Sequence, residues 1–123
     1  MVLALVDDLL FGSRLRAAAG AAGQPIAFVR QPDELVSAMR EHTPDLVLFD
    51  LDRDALDPIG AIRAIRSAPA WSGIRLAGYA SHVHGERMKE ALDAGCDRVF
   101  ARSAFVAALP DLMRLSSLPP PQP

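Results

Sequence analysis

The chain has 123 residues, half of them hydrophobic, and a formal net charge of -2. One domain with a real core is the expectation at that length, and no apolar run approaches the roughly 18 residues that cross a bilayer. The mildly acidic balance, with a pI near 5.8, excludes a strongly basic nucleic-acid-binding surface.

The first residues enter strand-like sequence with no basic leader, so a cytoplasmic location without membrane contact is expected. Val2 to Val6 form a continuous apolar run that ends abruptly in Asp7-Asp8, as a fully buried parallel strand does at its polar tip. A helix follows over about Phe11 to Ala19, with Gly20 as its stop. The second strand is Pro25 to Val29. The second helix opens at Pro32-Asp33-Glu34 and sets Leu35, Val36 and Met39 on one face.

The third strand, Leu46 to Phe49, ends in Asp50 and passes into Leu51-Asp52-Arg53-Asp54. The third helix carries Ile59, Ile62 and Ile65 at three-residue spacing, with Arg63 and Arg66 read as its solvated face. Trp71 is read as a packing residue ahead of the fourth strand, Ile74 to Tyr79. The fourth helix pairs Met88, Ala91 and Leu92 and stops at Gly95. Cys96 is the only cysteine, which leaves no intrachain disulfide and reads as a small buried hydrophobe. The fifth strand is Arg98 to Ala101. A fifth helix is expected to enter through Pro110-Asp111 and to bury Leu109, Leu112 and Leu115. Ser116 to Pro123 form a Ser/Pro tail, and the division expected is a domain over 1–117 and a Pro-rich tail over 118–123.

Strict alternation of strand and helix predicts an α/β fold. It is a single three-layer α/β/α domain with a five-stranded parallel sheet and five helices. Strand order 2-1-3-4-5, the flavodoxin-like order, fits best. It puts the tips of strands one and three side by side at the switch point where such sheets bind ligands. Asp7, Asp8 and Asp50 then converge, which makes either a cation site or an acceptor for phosphoryl chemistry.

On these residues the chain resembles a response-regulator receiver domain from Val2 to about Ser117. The resemblance is carried by Val6-Asp7-Asp8, by Pro44-Asp45-Leu46-Val47-Leu48-Phe49-Asp50, and by Ala94-Gly95-Cys96-Asp97-Arg98-Val99, in the family's order and spacing. It implies that Asp50 accepts a phosphoryl group from a histidine kinase or phosphotransfer protein. It also implies that Asp7, Asp8, Asp50 and the backbone carbonyl of Asp52 hold Mg²⁺, a hard cation that takes oxygen ligands. The alternative role for Asp7 and Asp8 is capping of the first helix.

The resemblance is to an atypical receiver. Ala80 stands where the family has a Ser or Thr hydroxyl, and Ser81 substitutes for it only if the chain has left strand geometry there. Arg102 replaces the family lysine and is wider and bidentate, so it is free to pair with Asp50 or Asp8 in the absence of phosphate. Val99, followed by Phe100, stands at the family's switch aromatic, and Asp54 and Pro58 replace the usual Pro and Gly. A haloacid-dehalogenase-like phosphatase using Asp50 and Asp52 is the alternative, weakened because Arg53-Asp54 follow where that family has Gly-Thr. An EF-hand fails at Ala55 and Ala61, and His82 and His84 are read as surface or capping residues.

The expected function is a stand-alone receiver-like signalling domain, either phosphorylated on Asp50 or acting as a phosphorylation-independent interaction module. It is not an enzyme in the ordinary sense. Its output runs through the face of helix four, strand five and helix five, with a homodimer among the assemblies allowed.

Overall fold

In the structure, a computed structural model that describes residues 1–81 and 85–114, strands and helices alternate along the chain. The strands are β1 (Val2–Leu5), β2 (Ile26–Val29), β3 (Leu46–Asp50), β4 (Arg75–Ala80) and β5 (Arg98–Ala101). The helices are α1 (Leu9–Ala21), α2 (Leu35–His42), α3 (Pro58–Ser67), α4 (Gly85–Ala94) and α5 (Arg102–Met113). The strands pair in parallel in the order β2-β1-β3-β4-β5, as the alternating pattern predicts.

Alternation along each strand divides the core between two faces. Val2, Ala4, Leu46, Leu48, Ala77 and Tyr79 pack against α1 and α5, whereas Leu3, Leu5, Val47, Phe49, Leu76 and Ala80 pack against the helices of the opposite layer. Burial on both faces explains why the strands read as unbroken apolar runs. Each fully buried Leu, Ile or Phe contributes about 1.5–3 kcal/mol relative to exposure.

The helices correct the sequence reading in five places. Helix α1 starts two residues early, because Asp8 caps it, and runs through Gly20; Gly23, at φ 69°, takes the left-handed position that the turn requires. Val36 and Leu92 are 42% and 50% exposed, turned away from the faces on which periodicity placed them. Arg66 does not belong to a solvated face. Its guanidinium donates to the carbonyls of Gly95 and Ile74, at 2.7 and 2.8 Å, and pairs with Asp97 at 2.7 Å.

The largest correction is α5. It begins at Arg102, eight residues before the expected entry, and Pro110 lies in its interior. Phe105, Ala108, Leu109, Leu112 and Met113 form a buried stripe at helical spacing, and that packing outweighs the local proline cue. Trp71 packs at the edge of the core as expected. Leu115, the tail and the boundary between 1–117 and 118–123 lie outside the described residues.

Candidate functional site

The apolar run of β3 delivers Asp50 to the C-terminal edge of the sheet, where it is only 2% exposed. The next residue, Leu51, is fully buried, its side chain packed over Gly78, where an added Cβ would come within 3.0 Å of it. The chain therefore turns sharply beneath its own core, and the Asp52 N–H donates to Asp50 Oδ1 at 3.0 Å. Burial is the main reason that the Asp50 carboxyl is held above the ordinary aspartate pKa. The Asp52 amide, Arg102 and Tyr79 oppose that rise.

The acids after β1 reach the same edge by a different route. Arg53 feels the charges of Asp7, Asp50 and Asp8, and Tyr79 feels those of Asp50 and Asp8. Asp8 Oδ1 accepts the Phe11 N–H at 3.1 Å, so Asp8 caps α1. Arg53 grips both oxygens of Asp7, with Nε to Oδ1 at 3.0 Å and Nη2 to Oδ2 at 2.8 Å. That bidentate bond, with Asp7's charge, raises the pKa of Arg53 further.

Two further ties close the loops around Asp50. Asp52 Oδ2 accepts the Ser81 N–H at 2.9 Å, and Ser81 has left strand geometry, β4 ending at Ala80. Strand alternation therefore no longer dictates the direction of the Ser81 side chain. From α4, Arg87 Nη1 donates to the Leu51 carbonyl at 2.8 Å and Nη2 pairs with Asp54. Beyond Asp54, Asp57 adopts φ 45° and its Oδ1 accepts the Gly60 N–H, capping α3.

Arg102 does not form the pair with Asp50 or Asp8 that its position allowed. Its guanidinium lies over the rings of Phe11 and Tyr79, 4.9 and 5.4 Å from their centroids. An aromatic face attracts the weakly hydrated guanidinium, and α5 starts at Arg102 itself, which carries the side chain over that cluster. A groove of about 930 Å³ opens beside it, lined by Asp8, Arg14, Asp52, Ser81, Arg102 and Ser103; Asp50 is not among its lining residues.

The site residues named from sequence thus gather at one edge, but as separate pairs. Among the described residues, no group of three or more His, Cys, Asp and Glu side chains is arranged to hold a metal. Among the described residues, Asp8 and Asp50 each keep one carboxylate oxygen outside any hydrogen bond, which suits a hard cation, whereas both oxygens of Asp7 are taken by Arg53. Sequence reasoning missed Arg53, Arg87 and Tyr79. Only Tyr79 left a signal, as a phenol inside an apolar run. His82 and His84 lie outside the described residues.

No family model and no curated protein matches the sequence. Solved structures do. A response regulator from Hahella chejuensis superposes with a TM-score of 0.82 at 16% identity, covering 98% of both chains. The receiver domain of a sensor histidine kinase from Pseudomonas aeruginosa, with magnesium in its active-site cleft, gives 0.80 at 19% identity, over 94% of this chain and 97% of the other. A phosphorylated cyanobacterial phytochrome response regulator gives 0.75 at 18%, over 92% and 87%. The chain has the fold of response-regulator receiver domains.

Proposed function

We propose that this chain is a receiver-type signalling domain whose phosphoryl acceptor is Asp50. The observation that carries the reading is a carboxylate buried at the tip of the central strand, with Asp7 and Asp8 at the same edge, in a sheet of receiver order. In the transfer, an Asp50 oxygen bonds to phosphorus as the bond from phosphorus to the donor breaks and the donor leaves with its electron pair. The donor would be a phosphohistidine on a kinase or phosphotransfer protein, or a small acyl phosphate.

Asp8, Asp50 and the Asp52 carbonyl would hold Mg²⁺, which when bound supplies charge neutralisation for the phosphoryl oxygens. Asp7 joins them only by giving up Arg53. Arg102 stands ready at the groove to meet a phosphoryl group once it leaves the two rings. On this reading the chain is not an enzyme in the ordinary sense, since it reacts only with its own phosphoryl group. Its output is a protein contact through α4, β5 and α5, in a soluble, cytoplasmic setting.

A second form of the reading draws on the loop ties. The Asp52 carboxylate already holds the Ser81 amide, and Arg87 already holds Leu51. Such ties fix one loop arrangement without a signal and support a phosphorylation-independent interaction module. The phosphatase alternative has no observation in its favour, because the Asp52 carboxylate is engaged with the Ser81 amide.

Beryllofluoride with Mg²⁺, added to the protein and to Asp50→Asn, tests the reading by amide NMR. Shifts at Asp52 and Ser81 in the unsubstituted protein alone are expected of an acceptor. Unmoved amides in both proteins leave the module and remove the acceptor.

A further inference from the structure

Tyr79 is fully buried, its ring centroid 4.6 Å from those of both Phe11 and Phe105. Its hydroxyl has no hydrogen-bond partner among the described residues. A buried phenol oxygen left unpaired is costly, and phenylalanine would fill the same aromatic cluster without that cost. The hydroxyl therefore asks for an acceptor.

The register supplies one. Tyr79 of β4 is the direct cross-strand neighbour of Asp50 of β3. Alternation sends both side chains to the α1/α5 face, on which Leu48 and Ala77 also lie. Asp50 Oδ1 is occupied by the Asp52 amide, which leaves Asp50 with acceptor capacity in a nearly dry site. The register makes them direct neighbours, and among the described residues no hydrogen bond yet joins them. A small side-chain adjustment joins them.

We propose that Tyr79 is a positioning residue for Asp50, its hydroxyl closing onto the buried carboxyl and favouring the free carboxylate over the phosphorylated form. The kinetic half of this inference rests on the acceptor reading above; the pairing itself does not. A hydrogen bond to a carboxylate is stronger than one to a neutral acyl oxygen. When Asp50 attacks an acyl phosphate, its oxygen–phosphorus bond forms, acetate departs with the electron pair, and the charge that Tyr79 holds is lost. On hydrolysis, water bonds to phosphorus, the bond to Asp50 breaks with its electrons returning to the carboxylate, and the water proton passes to phosphate. Tyr79 meets the regenerated charge, so it hastens loss of the phosphoryl group and slows uptake.

A double-mutant cycle in urea unfolding, with Tyr79→Phe, Asp50→Ala and the pair, tests the contact without any phosphoryl chemistry. The expected coupling is about tenfold in the folding equilibrium; additive effects overturn the inference. Because Tyr79 is the only tyrosine in the chain, its ring vibrational doublet reports the same contact without substitution at 79. It should change in Asp50→Asn, and an unchanged doublet counts against the pairing. With acetyl phosphate and Mg²⁺, Tyr79→Phe should hold its phosphoryl group about tenfold longer than the unsubstituted protein; an equal or shorter lifetime overturns the kinetic half. Coupling in a protein that takes up no phosphoryl group upholds the pairing and removes the acceptor reading alone.

Discussion

At Asp50, burial works against ionisation and the Asp52 amide works for it, and burial wins. A carboxyl whose pKa is raised on folding binds its proton to higher pH in the native state than in the unfolded one. Its contribution to stability therefore falls as pH rises above the ordinary aspartate value of about 3.9. Asp50→Asn keeps an acceptor for the Asp52 amide and removes the charge. It should be more stable than the parent at pH 7, and the gap should close as pH falls toward about 4. Urea unfolding across that range checks this, and a gap independent of pH contradicts it. Arg53→Gln releases both Asp7 oxygens. Mg²⁺ affinity by calorimetry should tighten about two- to fivefold, the scale of an exposed ion pair, and weaker binding would show that Asp7 takes no part. Cys96 is buried, and burial pushes its thiol up to about 12. Thiol reagents should label it only after unfolding; rapid labelling of the native protein contradicts that burial.

Two elements carry their own tests. Pro110 sits inside α5 on its exposed side, held there by the buried stripe from Phe105 to Met113. An interior proline costs about 3 kcal/mol relative to alanine, and the stiffer unfolded chain offsets part of that. Pro110→Ala should therefore stabilise the protein by about 1–3 kcal/mol in urea unfolding, whereas destabilisation would mean that α5 starts later than Arg102. Gly95 closes α4 at φ 118°, and a Cβ there would run into the Arg66 side chain that bonds its carbonyl. Gly95→Ala should destabilise by more than about 1 kcal/mol. These two positions mark what was legible. The strands and the Gly95 stop could be read because a strand buried on both faces, or a positive φ, limits residue choice locally. The start of α5 and the role of Arg66 could not. Helical spacing gives a face, but not which distant carbonyls a long side chain reaches, and a proline is a local cue that tertiary packing overrides.

For the molecule as a whole, strand order and the gathering of Asp7, Asp8 and Asp50 at one edge were legible, because alternation, right-handed crossovers and acid-tipped runs leave few topologies. How those acids are engaged was legible only in part. Asp7 belongs to Arg53, Asp8 to the first turn of α1, Asp52 to the Ser81 amide, and Arg102 to two aromatic rings. The cap by Asp8 was readable from its place ahead of the first helix, whereas the other partners are remote in sequence, so no spacing rule announces them. The result is a receiver fold with its loops already tied and its central acid nearly sealed. Intact-mass measurement after treatment with acetyl phosphate and Mg²⁺ tests that reading most directly. One phosphoryl group on the unsubstituted chain and none on Asp50→Asn is the expected result. Incorporation that survives the substitution would contradict it.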